Sequence, residues 1–297
     1  FLKLYPIGSS ENGEENVLKG VPSWVEEGTQ VKVEDLLRGI IVQSGNDACI
    51  VVAEAISGDE ASFANLMNKK AKELGLKNSN FVNSTGWPDP NHYMTARDLA
   101  ILSKRIIQDF PEFFYLFNEK YYTYNNIKQS NRNPLLYNYK YSDGLKTGYT
   151  EESGFSLSST AQKRKTRLIL VLSGLDSDKD RKTESIKLFE WAFREFKNIK
   201  LFSKEETIME ADVWLGEKPI IELYSKEDVL FTIKRENLKN YSAKLVYSNP
   251  ISAPVIRDKE YARLIISKTI NKEKSYPLYS KDDVKKAGIF RKITSAF

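Results

Sequence analysis

Lys146-Thr-Gly148 combines three features that suit it to holding a carboxylate at the edge of a strand. The lysine supplies a fixed positive charge, the threonine hydroxyl a hydrogen bond, and the glycine room for a substrate backbone to approach closely. About a hundred residues earlier, Ser44-Gly-Asn46 lies where one apolar helical stretch ends and another begins, so a hydroxyl and a carboxamide are presented on a tight turn. Each triplet also has a plain reading. Ser44 and Asn46 are common helix-start caps, and Lys146 alone reads as a solvated lysine at a strand end. Other chemistries are constrained more sharply. With a single histidine, His92, a Ser-His-Asp enzyme must run through that residue, which reads as structural in a loop before a helix cap. The single cysteine, Cys49, excludes an internal disulfide and a thiolate zinc cage. It falls on the apolar side of its helix, where burial is expected rather than reactivity.

The elements that must position these residues are legible in the spacing. Val31 to Val42 has helical periodicity, and a second helix is predicted from Asn46 or Asp47 to Gly58. A third covers Glu60 to Leu74 and stops at Gly75, which enters the left-handed region freely. Thr95-Ala-Arg-Asp98 has the spacing of a capping pair and opens a helix through Leu99, Leu102 and Ile106. Gly154 to Ser159 alternates, Arg167 to Ser173 is a buried-strand run, and Gln162 to Lys165 is the polar turn between them. A helix from Thr183 to Lys197 places Ile186, Phe189, Ala192, Phe193 and Phe196 on one face, and Trp191 is expected in the core. After Asn198 short β-rich runs recur, at 212–215, 219–223, 229–233, 243–246 and 262–266, with turn residues between them. That spacing predicts a small all-β sandwich with its boundary near residue 199.

The chain has 297 residues, enough for two domains at about 150 residues each. Hydrophobic residues make up 41% and charged residues 29%, which excludes a largely disordered chain. The apolar run Leu168 to Leu172 is far shorter than the ~18 residues of a spanning helix, and Phe1-Leu-Lys-Leu-Tyr5 does not read as a signal peptide. The net charge of +5 is mild, but Lys285, Lys286, Arg291 and Lys292 crowd the end of the chain.

Ile41-Val-Gln-Ser-Gly-Asn-Asp-Ala-Cys49 resembles the second active-site motif of the low-molecular-mass penicillin-binding proteins, the D-alanyl-D-alanine carboxypeptidases. Thr95-Ala-Arg-Asp98, Gln129-Ser-Asn-Arg-Asn133 and Ser142-Asp-Gly-Leu-Lys-Thr-Gly148 match further, and the β-rich tail resembles the second domain of the type-5 members. The resemblance implies an α+β fold. A transpeptidase domain with a helical cluster and an antiparallel sheet spans residues 1–198, and a β-sandwich spans 199–283. It also implies removal of the terminal D-alanine from peptidoglycan pentapeptide stems through an acyl-enzyme, with no metal or cofactor, binding of β-lactam antibiotics, and no nucleic-acid partner.

The match has one departure. No serine in the sequence is followed three positions later by lysine, whereas the family's nucleophile and base are the Ser-x-x-Lys pair. Thr160-Ala-Gln-Lys163 has the spacing but lies in the polar turn downstream. The expectation is a fragment whose parent carries the nucleophile further upstream, inactive as given, with Ser44 lacking a positioned base. By similarity, Ser44 relays a proton, and Asn46 orients the substrate amide. Lys146 and Thr147 hold the terminal carboxylate, and Gly148 and Tyr149 lie along the strand that pairs with the peptide. Arg132 and Arg181 resemble cleft arginines, although an ion-paired surface arginine is the alternative for each. Two other readings stand beside the enzyme: a non-catalytic peptidoglycan-binding pseudoenzyme, and a β-lactamase of the same fold. Residues 284–297 resemble the start of an amphipathic membrane anchor, with Ile289, Phe290, Ile293 and Phe297 on one side. The resemblance implies a place in the bacterial periplasm, peripheral on the outer face of the cytoplasmic membrane.

Overall fold

The structure, a computed structural model, describes residues 4–6, 30–236, 241–268 and 272–288. The chain divides into two compact units, Phe1–Trp191 and Ala192–Phe297.

In the first unit, β1 (Leu4–Pro6) pairs antiparallel with β2 (Gln30–Lys32). Then come α1 (Val33–Arg38), a π-helical turn (Gly39–Gln43), α2 (Asn46–Ser57) and α3 (Glu60–Leu74). The two-stranded ribbon β3 (Ser79–Asn80) and β4 (Tyr93–Met94) precedes α4 (Ala96–Asp109). A 3₁₀ turn (Phe114–Asn118), the hairpin β5 (Tyr121–Tyr124) and β6 (Ile127–Ser130), and the short α5 (Leu135–Asn138) lead into an antiparallel meander. Its strands are β7 (Ser142–Thr150), β8 (Gly154–Lys163) and β9 (Thr166–Leu175), followed by α6 (Asp178–Glu195).

Local chemistry explains the boundaries. The single helix predicted over 31–42 is divided: Val31 is drawn into strand pairing and buried, and the helix widens to a π turn before Ser44. The third helix keeps its predicted limits, with Gly75 at φ +77°. Thr95 caps α4 by accepting from the Asp98 amide at 3.2 Å. The reciprocal half of that capping pair is replaced. The buried Asp98 carboxylate accepts instead from the Asn78 amide and the Ser79 hydroxyl at 2.7 and 2.8 Å, tying α4 to the β3 ribbon. The buried Ser103–Ser158 hydroxyl pair, 2.7 Å apart, fastens α4 to β8 and contributes about 1 kcal/mol. Arg38 grips Glu119 through two nitrogens at 2.8–3.1 Å, and Tyr122 donates to Asp35 at 2.6 Å, so the β5–β6 hairpin is held against α1. Trp191 corrects the sequence reading. It lies two residues, or about 200° of helix, from the fully buried Phe189, and is 43% exposed.

The second unit takes in the last turn of α6 and then β10 (Phe196–Phe202), where the sequence predicted the last residues of a helix. β10 pairs with β13 (Val229–Lys234) in a two-stranded sheet. The other sheet has six strands in the order β14 (Tyr241–Tyr247), β16 (Glu260–Lys268), β17 (Lys272–Ser280), β12 (Ile220–Tyr224), β11 (Thr207–Trp214) and β15 (Ile251–Ser252). Val229 of the small sheet shares one core with Ala211, Ile221, Leu223, Leu264, Tyr276 and Leu278 of the large one. Fully burying each leucine or isoleucine is worth about 1.5–3 kcal/mol. β17 is hidden in the sequence by Pro277 and its charges. At Pro277 it pairs only with β16, because β12 meets β17 at Tyr279 and Ser280.

Candidate active site

The fold brings Ser44 and Lys146, 102 positions apart, into direct contact: Lys146 Nζ donates to Ser44 Oγ. Ser44 is placed by the π-helical turn. It ends that turn at φ 59° and ψ 42°, a left-handed conformation that costs a residue with a side chain about 1–2 kcal/mol. Two backbone bonds hold it there, Ser44 N–H to the Ile40 carbonyl at 3.2 Å and Gly45 N–H to the Gly39 carbonyl at 3.1 Å. The cap reading for this triplet does not hold. Gly45 occupies the N-cap position of α2, no side chain caps it, and Asn46 is the first helical residue.

Lys146 is placed by β7. Lys146 lies opposite Ser158 of β8, Thr147 opposite Leu157, and Gly148 opposite Ser156. Because the sheet order is β7-β8-β9, the far edge of β7 carries no strand partner among the described residues. An extended peptide can add to such an edge through main-chain hydrogen bonds. Gly148 and Tyr149 are exposed there, and the Tyr149 ring packs on Phe155 at 4.5 Å between centroids.

The electrostatics follow from desolvation. Burial pushes the Lys146 ammonium down from its ordinary 10.5 to about 8, and the positive charges of Arg132 and Arg181 push in the same direction. Lys146 also donates to the Thr147 carbonyl at 3.1 Å. The lysine therefore meets the Ser44 hydroxyl as a cationic donor, mostly protonated near neutral pH. Cys49 is partly buried, and burial pushes its thiol up to about 11 even though the Lys146 charge opposes the shift.

Arg132 is exposed and faces Lys146 electrostatically. Arg181 is buried and ion-paired to Asp178; its guanidinium lies 5.4 Å from the Phe155 ring centre and donates weakly to the Gly148 and Ser156 carbonyls at 3.4 Å. It therefore braces the β7–β8 pair from behind. His92 accepts from the Val82 amide at 3.4 Å and meets the Phe81 ring edge-on. Phe155 is the residue that sequence reasoning passed over. Its register opposite Tyr149 is the signal that would have found it.

The charge on Lys146 sets a pH dependence. A carboxylate ligand needs the protonated amine, so affinity is expected to be full near neutral pH and to fall as the pH rises through about 8. Titrating a peptide with a free C-terminal carboxylate against the chain checks this. An affinity that holds flat to about pH 10, the range of an ordinary lysine, would remove Lys146 as the partner.

Residues 3–177 match the family described as D-alanyl-D-alanine carboxypeptidase, and residues 196–286 match the C-terminal domain of penicillin-binding protein 5. The chain is 38% identical over 268 residues to D-alanyl-D-alanine carboxypeptidase DacA of Haemophilus influenzae, covering 89% of this chain and 68% of that one. It is 35% identical over 275 residues to D-alanyl-D-alanine carboxypeptidase DacF of Bacillus subtilis, covering 91% and 70%. Among solved structures, penicillin-binding protein 5 from Haemophilus influenzae superposes with a TM-score of 0.88 at 36% identity, over 96% of this chain and 83% of that one.

Proposed function

Because the chain belongs to the D-alanyl-D-alanine carboxypeptidase family of serine peptidases, we propose that its Ser44–Lys146 cleft binds the D-Ala-D-Ala end of a peptidoglycan pentapeptide stem. The observation that carries this reading is the contact between Lys146 Nζ and Ser44 Oγ beside the unpaired edge of β7. Lys146 and the Thr147 hydroxyl bind the terminal carboxylate, and the peptide backbone extends along Gly148 and Tyr149. Asn46 orients the scissile amide, and Ser44 passes a proton toward the leaving amine. Arg132 adds positive charge at the mouth, and Arg181 supports the strand from behind.

The chemistry is acyl transfer to a serine, release of D-alanine, and hydrolysis of the ester. The nucleophile for that sequence is the serine of Ser-x-x-Lys, and this chain contains no such pair. The chain therefore contributes the binding wall and the proton relay. β-Lactams, which mimic D-Ala-D-Ala, fit the same cleft.

The basic C-terminal stretch supports a second part of the reading, peripheral attachment to an anionic membrane surface on the periplasmic side. No helix among the described residues is long and apolar enough to cross a membrane. Residues 289–297, most of the expected anchor, lie outside the described residues. On a helix their apolar side chains gather opposite Arg291 and Lys292. Each cation near an anionic surface contributes about 1 kcal/mol, and the apolar side chains add to it, so the expected binding is weak and salt-sensitive. Sedimentation with anionic vesicles at low salt should carry down the 297-residue chain and leave a version ending at Ser280 in solution. Equal sedimentation of the two would remove the membrane from the account.

A further inference from the structure

The stretch from Lys120 to Ser142 holds four cations, six tyrosines and no aspartate or glutamate, in a chain that has 40 acidic residues. The fold gathers part of this stretch beside the cleft. Tyr121 of β5 and Tyr137 of α5 are both exposed, at 51% and 39%, and their rings meet edge to face 5.8 Å apart. The Tyr137 hydroxyl donates to the carbonyls of Lys120 and Asn131 at 2.5 and 3.1 Å, which fixes that ring in place before any ligand arrives. Lys128 Nζ stands 4.7 Å from the centre of the Tyr121 ring, and Lys120 Nζ 6.0 Å from that of Tyr137.

Acids bonded around this stretch already have partners. Glu119 is held by Arg38, Asp35 by Tyr122, Asp143 by Arg167, and Glu190 by Tyr139 and Lys163. Lys120, Lys128 and Arg132 have no carboxylate partner among the described residues. Two links join this shelf to the cleft: β6 packs on the π-helical turn that ends at Ser44, and Arg132, next to the Asn131 that anchors Tyr137, is felt by Lys146.

We propose that this shelf binds carboxylates carried by the substrate peptide upstream of its D-Ala-D-Ala end, so that the site selects acidic peptides. The assignment rests on the reading of the Ser44–Lys146 cleft given above. Cations with no internal counter-ion gain from an acidic partner without first breaking an ion pair. The anchored Tyr137 ring and the Tyr121 ring against it offer apolar surface, at little entropic cost, to the aliphatic parts of the same peptide. Electrostatic selection of this kind is strongest at low ionic strength.

The test uses the 297-residue chain and two acetylated peptides, Glu-Glu-Lys-D-Ala-D-Ala and its Gln-Gln counterpart, titrated calorimetrically. The acidic peptide is expected to bind about fivefold tighter at low salt, the sum of two exposed ion pairs. That preference should vanish at high salt and in the Lys120→Gln/Lys128→Gln variant, while affinity for the Gln-Gln peptide stays the same. Equal affinities in the unaltered chain, or a preference that survives in the variant, would overturn the proposal. A third probe, acetyl-triglutamate amide, has no D-Ala-D-Ala end and reports the shelf alone. If neither D-Ala-D-Ala peptide binds, the cleft reading fails, and the third probe decides the shelf. Triglutamate binding that is lost in the double variant sustains it, and no triglutamate binding overturns it.

Discussion

Incubated with a fluorescent penicillin and run on a denaturing gel, the 297-residue chain is expected to stay unlabelled. The Ser44 hydroxyl meets the Lys146 amine, so the case against its acylation has to be physical. A serine nucleophile needs two free amide donors aimed at the developing oxyanion, and losing one such donor costs about 10²–10³ in rate. Its own amide is bonded to the Ile40 carbonyl, and that of Gly45 to the Gly39 carbonyl. Neither is free to act. The Lys146 amine, moreover, is mostly protonated near neutral pH and a poor base. A covalent band mapping to Ser44 would overturn the proton-relay role and make the Ser44–Lys146 pair a nucleophile and base. Joining a Ser-x-x-Lys segment of the family upstream of the chain should bring labelling at that new serine.

Part of this arrangement is legible in the sequence. Ser44-Gly-Asn46 stands out because it falls between two apolar helical stretches, and Lys146-Thr-Gly148 because a lysine, a hydroxyl and a glycine adjoin at a strand. The α2 and α3 helices follow from apolar spacing and from glycines that stop them. What escaped depends on partners far away in sequence. Val31 reads as helical until Leu4–Pro6 pairs beside it, and Lys272–Ser280 carries no strand signal in the sequence although it pairs with β16 and, at its end, with β12. Arg181 shows the same limit, because its contacts with Phe155 and with the Gly148 and Ser156 carbonyls exist only once β7 and β8 have paired. The Ser44–Lys146 contact itself is a product of tertiary structure, because no local rule brings residues 102 positions apart together.

In an enzyme completed with the Ser-x-x-Lys segment, Lys146→Ala and Thr147→Ala are expected to impair catalysis far more than folding. Both residues are only partly buried at the edge of β7, so truncation opens no core cavity. Removing Lys146 also relieves the desolvation that depresses its pKa, which favours the folded state. What is lost is a charge-assisted contact to the substrate carboxylate, worth about 1.5–3 kcal/mol, or roughly tenfold to a hundredfold in kcat/KM. The measurement that bears most directly on the central claim is kcat/KM for D-alanine release by Lys146→Ala, taken together with its melting temperature. The account predicts a fall of at least about tenfold in kcat/KM with the melting temperature within a few degrees of the unaltered enzyme. Near-normal release of D-alanine by a protein that melts far earlier would mean that Lys146 holds the fold together and that the carboxylate is bound elsewhere.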